Sequence, residues 1–189
     1  MLWQQIQEKI ERRSVETLVD ATGPNPILES TLGPLVYVDT NQQLLFCVYP
    51  LSTQNQYYPI STSRHGLGQQ QGSFQTPVGL HRIAQKIGEG EPVGRVFKGR
   101  KPTEMQCIPD EHSSDEDVIT TRILWLEGLE TGVNQGGQYD SLDRYIYIHG
   151  TSDEAHIGQP ASIGCIRMKN EEVIDLFNRV EEGSLVLIE

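Results

Sequence analysis

Asp143-Arg144-Tyr145-Ile146-Tyr147-Ile148-His149-Gly150-Thr151 is the stretch on which the fold turns. Strict alternation places Tyr145, Tyr147 and His149 on one face and Ile146 and Ile148 on the other, the period of a β-strand. The strand is predicted over Asp143 to His149, with the isoleucines toward a core and His149 at its end on the open face. A second stretch, Ser162-Ile163-Gly164-Cys165-Ile166-Arg167-Met168, sets a thiol sixteen positions after that histidine. A thiol becomes a nucleophile at neutral pH when a base or cation lies nearby. Glycine beside it lets a substrate carbonyl approach the backbone. The candidates are Cys165 as nucleophile, His149 as base, and the N–H groups of Gly164 and Cys165 as oxyanion donors. Ser162 offers a local hydroxyl, and Arg167 either holds a carboxylate bidentately or braces its own loop, with bracing favoured.

Working outward, the chain reads mostly as β. Leu35-Val36-Tyr37-Val38, the turn Asp39-Thr40-Asn41-Gln42 and Leu44 to Tyr49 form a hairpin pattern. A short strand end is expected at Pro59-Ile60-Ser61-Thr62-Ser63, and further strands at Leu80 to Ile87, Val93 to Phe97, Ile119 to Leu126 and Ser184 to Ile188. Residues 64–79 are a Gly- and Gln-rich loop closed by Thr76-Pro77-Val78-Gly79. Its 64–75 part is a candidate lid, with a disordered surface loop as the alternative. Leu2, Ile6 and Ile10 begin an apolar helical stripe that runs to about residue 19, and Gly23-Pro24-Asn25-Pro26 ends it. Asn170 is placed to N-cap a helix through about Val180, with Glu171 and Glu172 in its first turn. The expected organisation is a helical segment, 1–25, belonging to the same unit as a mostly β domain over 34–189.

A formal net charge of -11 argues against nucleic acid and anionic membranes as partners. No apolar run reaches the ~20 residues of a membrane span. The first residues lack a basic and apolar leader, which points to the cytoplasm, or to the periplasm if the natural N-terminus was trimmed. Three cysteines suggest no disulfide framework. Cys47, in a strand pattern, and Cys107 read as structural thiols. A zinc reading from His149, His156 and Cys165 lacks a paired ligand element. The run Asp110-Glu111-His112-Ser113-Ser114-Asp115-Glu116-Asp117 lacks the glycine and periodicity of a calcium loop and reads as a solvated turn. Neither metal nor cofactor is expected.

Tyr147-Ile148-His149-Gly150-Thr151, Ile157-Gly158 and the cysteine stretch through Asn170 resemble the L,D-transpeptidase catalytic domain family of the YkuD type. Ile60-Ser61-Thr62-Ser63 resembles that family's conserved strand end, with Ser63 at a position usually held by glycine. Thr76-Pro77-Val78-Gly79 matches its Thr-Pro-x-Gly element. The resemblance spans about residues 34–189. Many members carry a second histidine just before the glycine; Ile163 stands there, which leaves the base role to His149 alone. The resemblance implies a β-sandwich-like domain acting on peptidoglycan stem peptides or muropeptides, with His149 oriented by the carbonyl of Gly150. It places Tyr147 and Arg167 at the substrate. It implies that Cys165 forms a thioester and is acylated by carbapenems. Hydrolysis of the thioester is L,D-carboxypeptidase chemistry, as in murein recycling, and is the expected fate given the N-terminal residues. Transfer to a second stem's amine, L,D-transpeptidase chemistry, is the alternative. A non-catalytic wall-peptide binding module would lose the nucleophile or the base, and both are present.

Overall fold

The hairpin read from residues 35–49 is formed by β1 (Leu35–Asp39) and β2 (Leu44–Val48), antiparallel with Val36 opposite Cys47. A computed structural model describes residues 2–18, 33–49, 53–109 and 118–189. The Gly23–Pro26 breaker and the acidic run 110–117 lie outside them. The remaining elements are α1 (Leu2–Leu18), β3 (Gln56–Pro59), β4 (Gly79–Ile87), β5 (Arg95–Lys98), β6 (Lys101–Gln106), β7 (Ile119–Gly128), β8 (Tyr147–Thr151), β9 (Ile166–Met168), α2 (Asn170–Arg179) and β10 (Leu185–Ile188). The mostly β fold with a helix near each end of the chain is as expected.

From β3 the sheet runs through β2, β1, β10, β4 and β7, and β7 then pairs with β8 and β8 with β9. The β5–β6 hairpin joins through Val96 opposite Thr120. The sheet then curls back on itself. Ser61, just past β3, bridges Arg167 of β9, and Ser63 bridges Ser162. The two walls of the expected sandwich are thus opposite sides of one curved sheet, which closes where the cysteine loop sits. Its inner face buries Val36, Val38, Leu45, Ile83, Leu124, Ile148, Ile166, Met168 and Val186 against Val173, Leu176 and Phe177 of α2. Ile6 and Ile10 of α1 cover the outer face on Leu35, Tyr37, Phe46, Leu80 and Leu187. A bidentate pair from Arg13 to Glu130, 2.9 and 2.7 Å, fastens that helix.

Several local expectations are corrected. The strand end read at 59–63 falls at Pro59, and Ser61 and Ser63 beyond it form single bridges. β6 shows no apolar alternation because its side chains are mostly exposed. β9 is three residues long, too short for a pattern. β8 begins at Tyr147 rather than Asp143, since Asp140 caps a turn through the N–H groups of Leu142 and Asp143, and Tyr145 adopts φ 56°. His149 therefore lies in mid-strand, between Ile123 of β7 and Arg167 of β9, and is fully buried rather than on an open strand end.

Candidate active site

Three short segments meet at the seam of the sheet: β8, the 162–165 loop and the 74–76 turn. Burial in β8 fixes the His149 ring, and its Nδ1 lies 2.8 Å from the carbonyl oxygen of Gly150. A carbonyl only accepts, so Nδ1 carries the proton in the neutral ring and Nε2 is the basic nitrogen. Gly150 has a steric reason to be glycine. A Cβ there would stand 2.7 Å from Asn170 Oδ1 and 2.8 Å from the Thr120 carbonyl.

Cys165 is partly exposed, and its thiol donates to the Tyr145 carbonyl at 3.5 Å. It packs against the buried cluster of Phe97, Ile123 and Tyr147. The loop that presents it is braced on every side. Ser162 Oγ donates to the Cys165 carbonyl at 2.6 Å and accepts from the Gly164 N–H at 3.2 Å. Thr76 Oγ1 donates to the Gly164 carbonyl at 2.9 Å and accepts from the Ser63 N–H at 2.9 Å. Gly164 sits at φ 135°, a region in which side-chain-bearing residues are strained. These bonds give the Thr-Pro-x-Gly and Ser61–Ser63 elements a physical meaning: they are the wall against which the cysteine loop is set. Ser63 bridges from its hydroxyl to the Phe74 carbonyl and accepts from the His65 N–H, a use that glycine lacks.

Two arginines define the electrostatics. Arg144 is half-buried and holds the carbonyls of Gly68, Gln69 and Gln75 at 3.2, 2.7 and 2.7 Å. Burial lowers its guanidinium below the usual value, and the Cys165 side chain opposes that shift. A cation within electrostatic reach of the thiol favours its thiolate. Arg144 also pins the 64–75 loop, which is further tied by Gln71 N–H to the Gln138 carbonyl at 2.7 Å. The second, Arg100, stacks on Trp125 and bonds the Tyr147 hydroxyl. By contrast Cys47 is fully buried, and desolvation pushes its thiol up to about 12, so it is unreactive.

Other residues singled out by sequence are placed differently. Arg167 is buried, with Nη1 on Asp153 at 3.1 Å and Nη2 on the Ala161 carbonyl at 3.4 Å, while its backbone pairs with Ser61. That geometry braces the loop and engages both Nη groups within the chain. Tyr147 is 5% exposed and presents its hydroxyl to Arg100 rather than to solvent. The Gly164 N–H is turned to Ser162. Ile163 is exposed beside the thiol. His156 is an exposed residue paired with Asp153, away from the strand that holds His149. Asn170 does not cap its helix, because its side chain points across to β7 and Lys169 holds the cap position. Sequence reasoning passed over Arg144, Arg100, Thr120 and Glu154. Of these, only Arg144 carried a signal, a charged residue two positions before a core-facing isoleucine.

Comparison with known proteins gives the family and the fold. The family model described as the L,D-transpeptidase catalytic domain, YkuD, matches residues 33–188. "Putative L,D-transpeptidase YqjB" of Bacillus subtilis is 51% identical over 47 residues, 24% of this chain and 27% of that protein. "Putative L,D-transpeptidase YkuD" of the same organism is 45% identical over 60 residues, 29% of this chain and 37% of that protein. The matched stretches thus span about a third of those relatives' lengths. In fold, the chain is similar to L,D-transpeptidase 3 from Mycobacterium tuberculosis, solved with a faropenem-derived adduct. That likeness has a TM-score of 0.51 at 14% identity, over 83% of this chain and 60% of that one. With a match that runs from before β1 to the end of β10, the chain belongs to the L,D-transpeptidase catalytic domain family.

Proposed function

We propose that this protein is a cysteine acyltransferase of peptidoglycan stem peptides, and that it forms L,D cross-links. The observation that carries the reading is the bond between His149 Nδ1 and the Gly150 carbonyl, which makes Nε2 a base beside the cysteine loop. In this reading Cys165 gives its proton to His149 Nε2. Its sulfur then attacks the carbonyl between the diamino acid and the terminal D-alanine. The negative oxygen is met by the Cys165 amide, with the Gly164 amide available only on release from Ser162. The C–N bond breaks, and D-alanine leaves as an amine that takes the proton back from His149. The amine of a second stem then attacks the thioester, a new C–N bond replaces the C–S bond, and the thiol is restored.

Water in place of that amine gives a tripeptide, the carboxypeptidase outcome. The relatives' names weigh toward transfer, and the chemistry of acylation is common to both. Mass spectrometry of products from a disaccharide tetrapeptide with excess acceptor separates them. Dimer with loss of D-alanine is expected; tripeptide with no dimer at any acceptor concentration overturns cross-linking. Cys165→Ala is expected to abolish both products, and His149→Gln to lower the rate by about 10²–10⁴-fold. A carbapenem adduct of one added mass on the wild-type chain, missing from Cys165→Ala, is the expected companion result.

A further inference from the structure

The turn between β5 and β6 breaks a local rule. Its two central residues, Gly99 and Arg100, have φ of 54° and 65°, between the paired Lys98 and Lys101. A two-residue hairpin with both φ values positive is a type I′ turn, whose second position favours glycine. Holding an L-residue with a long side chain in that region costs about 1–2 kcal/mol. Such departures persist where the side chain has a task elsewhere.

The Arg100 side chain lies on an aromatic platform. Its guanidinium carbon is 4.3 Å from the Trp125 ring centre and 4.9 Å from that of Tyr145. Nη1 donates to the Tyr147 hydroxyl at 3.1 Å. Tyr145 is itself in the left-handed region and 53% exposed. Among the described residues Arg100 forms no ion pair with a carboxylate. The two tyrosines that seat it also lie at the nucleophile: the Tyr145 carbonyl accepts from Cys165 Sγ, and Tyr147 belongs to the cluster against which Cys165 packs. The guanidinium is planar, and set over two rings it has further N–H groups in the fork that takes a carboxylate. Arg167, the arginine nearest the thiol in sequence, is engaged by Asp153 and Ala161.

We infer that Arg100 is a carboxylate-binding residue of the acyl-donor site, holding a free carboxylate of the peptide whose carbonyl Cys165 attacks. The inference rests on the reading of Cys165 as the nucleophile for stem peptides. Two carboxylates of such a peptide belong to the residues flanking the attacked bond, the C-terminal one of the leaving residue and, where the diamino acid carries one, that on its side chain; the proposal is that Arg100 holds one of these two.

The first test needs no peptide. Cys165 is alkylated with iodoacetate, which is anionic, and with iodoacetamide, which is neutral, and the rates are read by intact mass against a Cys165→Ala control. The expected ratio of iodoacetate to iodoacetamide falls about tenfold or more in Arg100→Asn, the weight of one charge-assisted hydrogen bond. Asparagine fits the turn better than arginine, so this variant is expected to melt at the same or a higher temperature. An unchanged ratio, or a lowered melting point with both rates falling together, overturns the proposal. The second test measures kcat/KM for three tetrapeptide donors: unmodified, amidated at the C-terminus, and amidated on the diamino acid's side chain. The carboxylate whose amidation cancels the effect of Arg100→Asn is the one bound, and cancellation by neither overturns the proposal. If no donor is turned over, the reading of function fails, and the alkylation ratio still judges the anion site alone.

Discussion

Asn170 is a single side chain on which the site's geometry converges. Its Oδ1 accepts from the hydroxyls of Thr120, at 2.6 Å, and Thr121. Its Nδ2 donates to the Thr151 carbonyl at 2.8 Å and to Glu154 at 2.6 Å. The same Glu154 oxygen accepts from the Asn170 N–H at 2.8 Å, so the helix start is capped from outside by a carboxylate. One carboxamide thus joins β7, β8, the 154–156 turn and α2, directly beneath the Gly150 whose carbonyl orients His149. Replacing it strands buried hydroxyls and a carbonyl, each of which costs about 1–3 kcal/mol unpaired. Asn170→Ala is therefore expected to destabilise the fold by about 2–4 kcal/mol in urea denaturation and to lower turnover with it. Wild-type stability would show that water replaces the carboxamide. The sequence made Cys165, His149 and Gly164 legible because few residue types do their chemistry. Asn170 was legible only as a cap, since its position before Glu171 and Glu172 fits that pattern and its partners lie from 16 to 50 residues away. Arg100 and Arg144 were hidden for the same reason: what each touches is set by folding and not by neighbours in the chain.

At the scale of elements, β4 and the 129–146 segment are joined by a second buried histidine. His81 has no exposed surface; its Nδ1 is 3.0 Å from the Gly79 carbonyl and its Nε2 is 2.9 Å from Ser141 Oγ. Burial lowers it to about 4 from an ordinary 6.5, with the Gly79 carbonyl opposing. The folded state thus keeps this ring neutral at pH values where the unfolded chain protonates it. Between those two values the unfolded state binds more protons, so stability rises with pH there. The contribution is complete above about pH 6.5, falls away on acidification, and has gone by about pH 4, a loss on the order of 3 kcal/mol. Chemical denaturation across that window is expected to show this slope, and His81→Gln to flatten it. An equal slope in the variant assigns the acid sensitivity elsewhere. Elements with a clear apolar period, α1, β4, β7 and α2, were predictable within a few residues. β6 and β9 were not, because an exposed edge carries no alternation and three residues carry no period.

On the scale of the whole molecule, the centre of the sheet is made by the two ends of the β domain. β10 pairs with β1 in parallel and with β4 antiparallel, so its four residues face two cores at once. Val186 and Ile188 lie in the inner core, while Leu185 and Leu187 lie against α1's layer. The apolar run Leu185–Ile188 was legible as a strand, and its lack of alternation fits burial on both faces. Its parallel partner was not readable, because register between distant strands leaves no local mark. Burying four such side chains contributes about 6–12 kcal/mol, which matches the ~5–15 kcal/mol of a whole domain. Further ties run through the last residue: Thr40 Oγ1 donates to the Glu189 carbonyl at 2.7 Å, and Lys9 reaches its carboxylate at 2.8 Å. Removing residues 185–189 splits the sheet between β1 and β4 and opens the seam at which Ser61 meets Arg167. That truncation is expected to abolish the cooperative melting transition and the near-ultraviolet circular dichroism of the packed aromatics, with Cys47 becoming as readily alkylated as Cys165. A truncated chain that still melts sharply with Cys47 protected would mean that β1 and β4 close on each other, and that the centre of the sheet lies elsewhere.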